Sequence, residues 1–239
     1  MTAQNMTVAE IAANSLAAVR IFERLGIDYC CGGKRPLDEA CARKGLDASD
    51  VLLAIETAMS EKTADSRDWT TAPLRELISH IVGTHHEYLK RELEPLQARI
   101  EKVYRVYNEK YGPTLKGLPE VYSALRSELE LHLRKEEMIL FPVIEAYEGA
   151  ADAGRPIPAA PFGTVNNPIR MMEHEHDSAG QALARIRAIT NDFEIPEYAC
   201  ATYRSMTGAL RELEQDLHMH IHLENNVLFP RAAALEAAG

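Results

Sequence analysis

Long hydrophobic runs are missing from these 239 residues. No stretch approaches the roughly 20 consecutive apolar side chains that cross a bilayer. The opening MTAQNMTVAEIAAN has neither the basic start nor the apolar middle of a signal peptide. These absences predict a cytoplasmic protein with no membrane partner. Aromatic residues are sparse, with one Trp and five Phe, and β-branched runs are few. Ala, Leu, Glu and Arg fill the chain instead, which favours helix over sheet and sets the expected class as all-α. Basic residues are outnumbered, 26 against 36 acidic ones for a formal charge of −10. No segment gathers Lys and Arg into a stripe, so phosphate backbones are repelled and nucleic acid is excluded as a partner. Cysteine is scarce as well, at positions 30, 31, 41 and 200, which is no disulfide framework. The Cα atoms of neighbours Cys30 and Cys31 lie about 3.8 Å apart, closer than the roughly 4.4–6.8 Å of an unstrained disulfide, so thiols are expected.

What is present falls into two parts. Residues 1–62 read as a small module of short helices: Thr7 with Glu10 is a capping-box pattern, Gly26 ends a helix begun near Ser15, and Asp47 caps a helix running to about Met59. Between these helices lies DYCCGGKRP, a turn-rich loop displaying two thiols beside two glycines. A polar linker follows, set at 63–71. From about residue 72 to 232 the pattern becomes long and amphipathic, with helices expected over about 72–109, 118–147, 168–191 and 196–230. Gly112, Pro113 and Gly117 punctuate the first connection, and the Gly- and Pro-rich stretch after Glu148 the second, which is expected to be the most mobile. Four such helices predict an antiparallel bundle.

The segment DLHMHIHLENNVLFP alternates histidines as a strand would. On a helix turning about 100° per residue, however, His220 and Glu224 join the apolar stripe of Met206, Leu210, Leu213, Leu217, Val227 and Leu228, while His218 and His222 face away. His132 and Glu136 repeat this spacing within the stripe Val121, Leu125, Leu129, Ile139 and Val143. Both H-x-x-x-E pairs precede FP, in EEMILFP and ENNVLFP, an internal echo of pseudo-symmetric halves. His176 joins Ile169, Met172, Ala179, Leu183 and Ile186 on the third helix. On the first helix either His85 or His86 can turn inward, and His80 falls on the polar side.

A single histidine on an apolar face is usually a hydrogen-bonded core residue. Four helices each offering one, two of them with an inward glutamate, mark a metal site, because a buried carboxylate costs several kcal/mol unless paired or metal-bound. No matching set of inward Lys or Arg is present. Imidazole with carboxylate suits iron, manganese or zinc. Six donors are enough for two ions, with two carboxylates and a solvent-derived oxo or hydroxo group bridging them.

With EHD, LENNVLFP and DYCCGGK in this order, residues of about 72–232 resemble a hemerythrin-like four-helix bundle and the N-terminal segment resembles the ScdA N-terminal module. Over nearly the whole chain the sequence resembles the repair-of-iron-centres di-iron family, the YtfE/ScdA proteins. The resemblance implies His86, His132, Glu136, His176, His220 and Glu224 as ligands of two iron ions, with Glu136 and Glu224 bridging, and it selects His86 over His85. His85, His174, His218 and His222 match no ligand position and are expected to be solvated, with His85 a candidate for support of a ligand. Cys30 and Cys31 are candidate iron-transfer thiols, displayed on a loop that glycine keeps flexible and beside Lys34 and Arg35, which favour thiolate. Cys41 and Cys200, in helical runs, read as packing residues.

The resemblance implies a protein that repairs iron–sulfur clusters after nitrosative or oxidative damage by donating iron, with damaged iron–sulfur proteins as partners and a homodimer compatible with the sequence. The competing readings are an O2- or NO-binding sensor or carrier and a nitric oxide reductase, both using the same irons. Paired thiols discriminate, because a gas carrier has no need of them. A ferritin-like oxidase is disfavoured, since that class pairs its ligands as E-x-x-H.

Overall fold

The computed structural model describes residues 6–30, 32–60, 67–111 and 115–238. Cys31, residues 63–66 of the expected linker, and Gly112 and Pro113 therefore lie outside the described residues. Among those described, the regular elements are all helical. The short helices are α1 (Val8–Ala13), α2 (Leu16–Leu25), α3 (Leu37–Ala42) and α4 (Ala48–Ser60). The long ones are interrupted: α5 (Leu74–Ile81) leads through a π-helical turn (Val82–His86) into α6 (Glu87–Tyr111). Likewise α7 (Leu118–Lys135) passes through Glu136–Leu140 into α8 (Phe141–Asp152), and α10 (Ala201–Leu223) through Glu224–Leu228 into α11 (Phe229–Ala238). Only α9 (Asn166–Ile189) among the long helices runs without a break. No helix among the described residues is long and apolar enough to cross a membrane.

The chain divides into two compact units, Met1–Ile78 with Ile144–Val165 and His218–Gly239, and Ser79–Val143 with Asn166–Leu217. The second unit is a four-helix bundle. His86 and Lys90 meet Glu137 while Gln97 meets Arg126, so α6 and α7 run antiparallel. His132 meets Glu175 and Glu128 meets Ser178, which sets α9 antiparallel to α7. His85 meets Asp216 and Arg99 meets Ser205, which does the same for α10 against α6. Side chains three, four and seven apart fill the interior: Leu89, Leu93, Leu96 and Ile100 from α6, Leu125, Leu129 and Leu133 from α7, Leu183 and Ile186 from α9, and Leu210, Leu213 and Leu217 from α10.

In the first unit the expected punctuation appears. Thr7 and Glu10 exchange both bonds of the capping box, Ser15 caps α2, and Gly26 ends it at φ 64°. Asp47 accepts from Ser49 N at 2.7 Å ahead of α4. Val8, Val19, Phe22, Leu37, Val51 and Ile55 make the core of these short helices. The Gly- and Pro-rich connection after α8 is tied at its end by Glu236, which accepts from Val165 N at 2.9 Å, from Thr164 Oγ1 at 2.5 Å and from Tyr147 Oη at 2.8 Å.

The π turns were not expected. In each, an N–H reaches back five residues: Glu87 to Val82, Phe141 to Glu136 and Phe229 to Glu224. Two of them lead directly into FP, where Pro142 and Pro230 have no N–H for the ladder and collide with a regular turn, so the wide turn relieves both faults. The helices consequently continue through the prolines to Asp152 and Ala238 rather than stopping near 147 and 230. One extra residue per turn also advances the inward face by one position. Leu140 and Ile144 are therefore buried, while Ile139, expected inside, is 48% exposed.

Candidate metal centre

Each π turn holds an expected ligand. His86 closes the first, Glu136 opens the second and Glu224 opens the third. His132 lies on the last turn of α7, His176 on α9 and His220 on α10. All six side chains are buried, at 2% exposure or less. In the bundle unit four of them converge. Glu136 places Oε2 3.5 Å from His86 Nε2 and Oε1 3.2 Å from His132 Nε2. His176 Nε2 is 3.1 Å from His132 Nε2. On the last helix His220 Nε2 lies 3.0 Å from Glu224 Oε1. His132, Glu136 and His176 each offer a ligand atom within 4.8 Å of one another, as do His86 with Glu136 and His220 with Glu224.

Outer carboxylates orient these rings, and they were missed in the sequence. His86 Nδ1 is 2.8 Å from Glu137 Oε1, and His132 Nδ1 is 2.9 Å from Glu175 Oε2. A carboxylate accepts only, so it fixes the imidazole proton on Nδ1 and turns the Nε2 lone pair inward. The hydrogen bond to His132, against the opposing effect of burial and with help from Lys135, holds Glu175 down at about 2. Burial works against ionisation of Glu137, yet Lys90 and His86 keep its pKa below the ordinary value. The visible signal was adjacency: Glu137 follows Glu136, and Glu175 precedes His176 in EHEHD. His86 also stacks on Phe141 at 5.7 Å, which closes one side of the ring to water.

The donor set fits a metal. Nitrogen lone pairs and carboxylate oxygens face one another, an array of acceptors that a cation draws together, and among the described residues no lysine or arginine is buried to balance them. This buried His/Glu cluster is compatible with a non-haem di-iron centre.

Three of the four extra histidines depart from the expectation of solvation. His85 is buried and meets Asp216 at 2.9 Å, His222 is buried, and His218 is half-buried against Glu23 at 2.7 Å. His174 is exposed as expected. The thiol loop is built rather than loose. Asp28 Oδ1 accepts from Cys30 N at 3.1 Å and lies 3.4 Å from its Sγ, while Oδ2 accepts from Gly32 N at 2.9 Å. Gly33 O accepts from Ala9 N at 2.8 Å. A Cβ on Gly33 would sit 2.5 Å from Tyr29 O, so only glycine lets the chain pass there. Cys30 itself is buried, as is Cys41. Cys200 is exposed, contrary to the packing expectation, and hydrogen bonding from Tyr107 pulls its thiol down to about 7.

A bundle with buried histidine and glutamate donors on its helices is the hemerythrin class of metal-binding fold. The hemerythrin HHE cation binding domain matches residues 77–232, and ScdA_N, a domain of unknown function (DUF542), matches residues 4–59. An iron-sulfur cluster repair protein YtfE from Edwardsiella ictaluri (strain 93-146) is 40% identical over 233 residues, 97% of this chain and 98% of that one. Proteins of the same name from Escherichia coli (strain SMS-3-5 / SECEC) and Escherichia fergusonii are 40% identical over 237 residues, 99% of this chain and 100% of theirs. The chain belongs to the family of YtfE iron–sulfur cluster repair proteins, and in this chain an ScdA-type N-terminal domain precedes a hemerythrin-like one.

Proposed function

We propose that this protein repairs iron–sulfur clusters damaged by nitrosative or oxidative stress, holding iron at a di-iron centre and giving it to the damaged protein. The observation that carries this reading is the buried quartet His86, His132, Glu136 and His176 with Glu137 and Glu175 behind its rings. In this reading His220 and Glu224 would hold iron as well, and Glu136 and Glu224 would be the carboxylates shared by the two ions. Iron held there supplies a change of oxidation state and a position for a small ligand such as NO or O2. Glu137 and Glu175 keep the imidazoles in the binding tautomer, and the leucines of the bundle exclude water. Residues 1–62 serve as the thiol module, 63–71 as linker and 72–232 as the iron-holding bundle, with Cys30 and Cys31 as the transfer thiols. The setting is the cytoplasm, and a homodimer is compatible with the reading.

Iron quantification with Mössbauer spectroscopy on anaerobically handled protein is expected to give about two ions per chain, as the donor number suggests. The same protein is expected to restore an NO-treated iron–sulfur dehydratase. Iron at about one ion or none, or failure to restore the dehydratase, overturns the proposal. Steady turnover of NO to N2O with an electron donor would instead establish the reductase reading.

A further inference from the structure

The turn from His218 to Asn226 has two functional faces. His220 and Glu224 occupy one. His218, His222 and Asn226, four residues apart on the other, meet the thiol loop through Tyr29. Tyr29 is 2% exposed. Its Oη donates to Glu23 Oε1 at 2.8 Å, and the same oxygen lies 2.7 Å from His218 Nδ1. Its ring stands edge-on to His222 at 5.4 Å and to His218 at 6.2 Å. Its carbonyl accepts from Asn226 Nδ2 at 3.0 Å, and that amide also lies 2.8 Å from His222 Nδ1. The residue next to Tyr29 is Cys30, 7% exposed.

The geometry points to Tyr29, Glu23, His218 and Asn226 as positioning residues that latch the thiol loop onto the helix carrying His220 and Glu224 and keep Cys30 shielded until the loop lifts. A thiol that passes iron to another protein must meet that protein, and at 7% exposure it cannot. The loop is attached by a few hydrogen bonds beside the buried ring of Tyr29, and each of those bonds shifts the opening equilibrium by a modest factor. The inference rests on the proposed role of the thiols, but its test needs neither iron nor a client, so the two can fail separately.

The test is the alkylation rate of Cys30 in the full chain, read by tandem mass spectrometry with Cys41 as internal control, since Cys41 is 1% exposed in the core of the same module. Tyr29→Phe keeps the ring and removes the donated bond. Asn226→Ala removes the bond to the Tyr29 carbonyl. Each is expected to raise the Cys30 rate about fivefold and the pair more than tenfold, as net hydrogen-bond strengths imply, with Cys41 unchanged. Rates for Cys30 that stay within about twofold of wild type in both variants would overturn the latch. So would a parallel rise at Cys41, which means global loosening.

Discussion

The two H-x-x-x-E turns are near copies seen from one side and opposites from the other. Around His132–Glu136 and His220–Glu224 the inner faces match: a leucine three residues before each histidine, a π turn beginning at each glutamate, and LFP after it. Their outer faces diverge. Glu130, Arg134 and Met138 are exposed, Met138 at 76%. The equivalent His218, His222 and Asn226 hold the thiol loop instead. A repeated ligand turn thus leaves its outer face free to vary, and in one copy that face has become a docking surface for the chain's own N-terminal residues.

The comparison can be tested, and the largest effect is expected on the shared side. Glu136→Ala and Glu224→Ala should each lower bound iron from about two ions to one or fewer, because each removes a proposed bridging ligand. Equal iron content in one variant and wild type would break the equivalence of the copies. Next come the supports: Glu137→Gln and Glu175→Gln are expected to weaken iron binding roughly 10- to 100-fold in chelator competition.

A smaller effect belongs to the docked face alone. Burial holds His222 down from its ordinary 6.5 to about 4, so it stays neutral in the fold. A histidine with a depressed folded pKa contributes its stability fully above the unfolded value, and that stability is lost as pH falls through the folded one. Urea unfolding between pH 7 and pH 4 should therefore show wild type losing more stability than His222→Gln; parallel losses would remove this difference between the faces. The smallest effect is expected at the free face, where Met138→Asn should change unfolding free energy by no more than about 0.5 kcal/mol.

Much of the site was legible because helical phase is local. His132, Glu136, His176, His220 and Glu224 could be set inward from their spacing to leucines a few residues away. Phase failed at His85 and His86, and the π turn at Val82–His86 explains why: with one residue too many in the turn, both rings become buried. The same slip misplaced Ile139. Glu137 and Glu175 were missed because, beyond their adjacency to ligands, their value lies in reaching rings 51 and 43 residues away.

The sequence alone determined the helices, their caps at Thr7, Ser15 and Gly26, the bundle and the inward donors, since all of these follow from interactions within a turn or two of the chain. Tertiary structure alone decided the wide turn at Val82–His86, which no proline directly follows, and the work of the outward histidines. A π turn persists where packing compensates its poorer local geometry, and His218 acquires its role only from a carboxylate 195 residues distant.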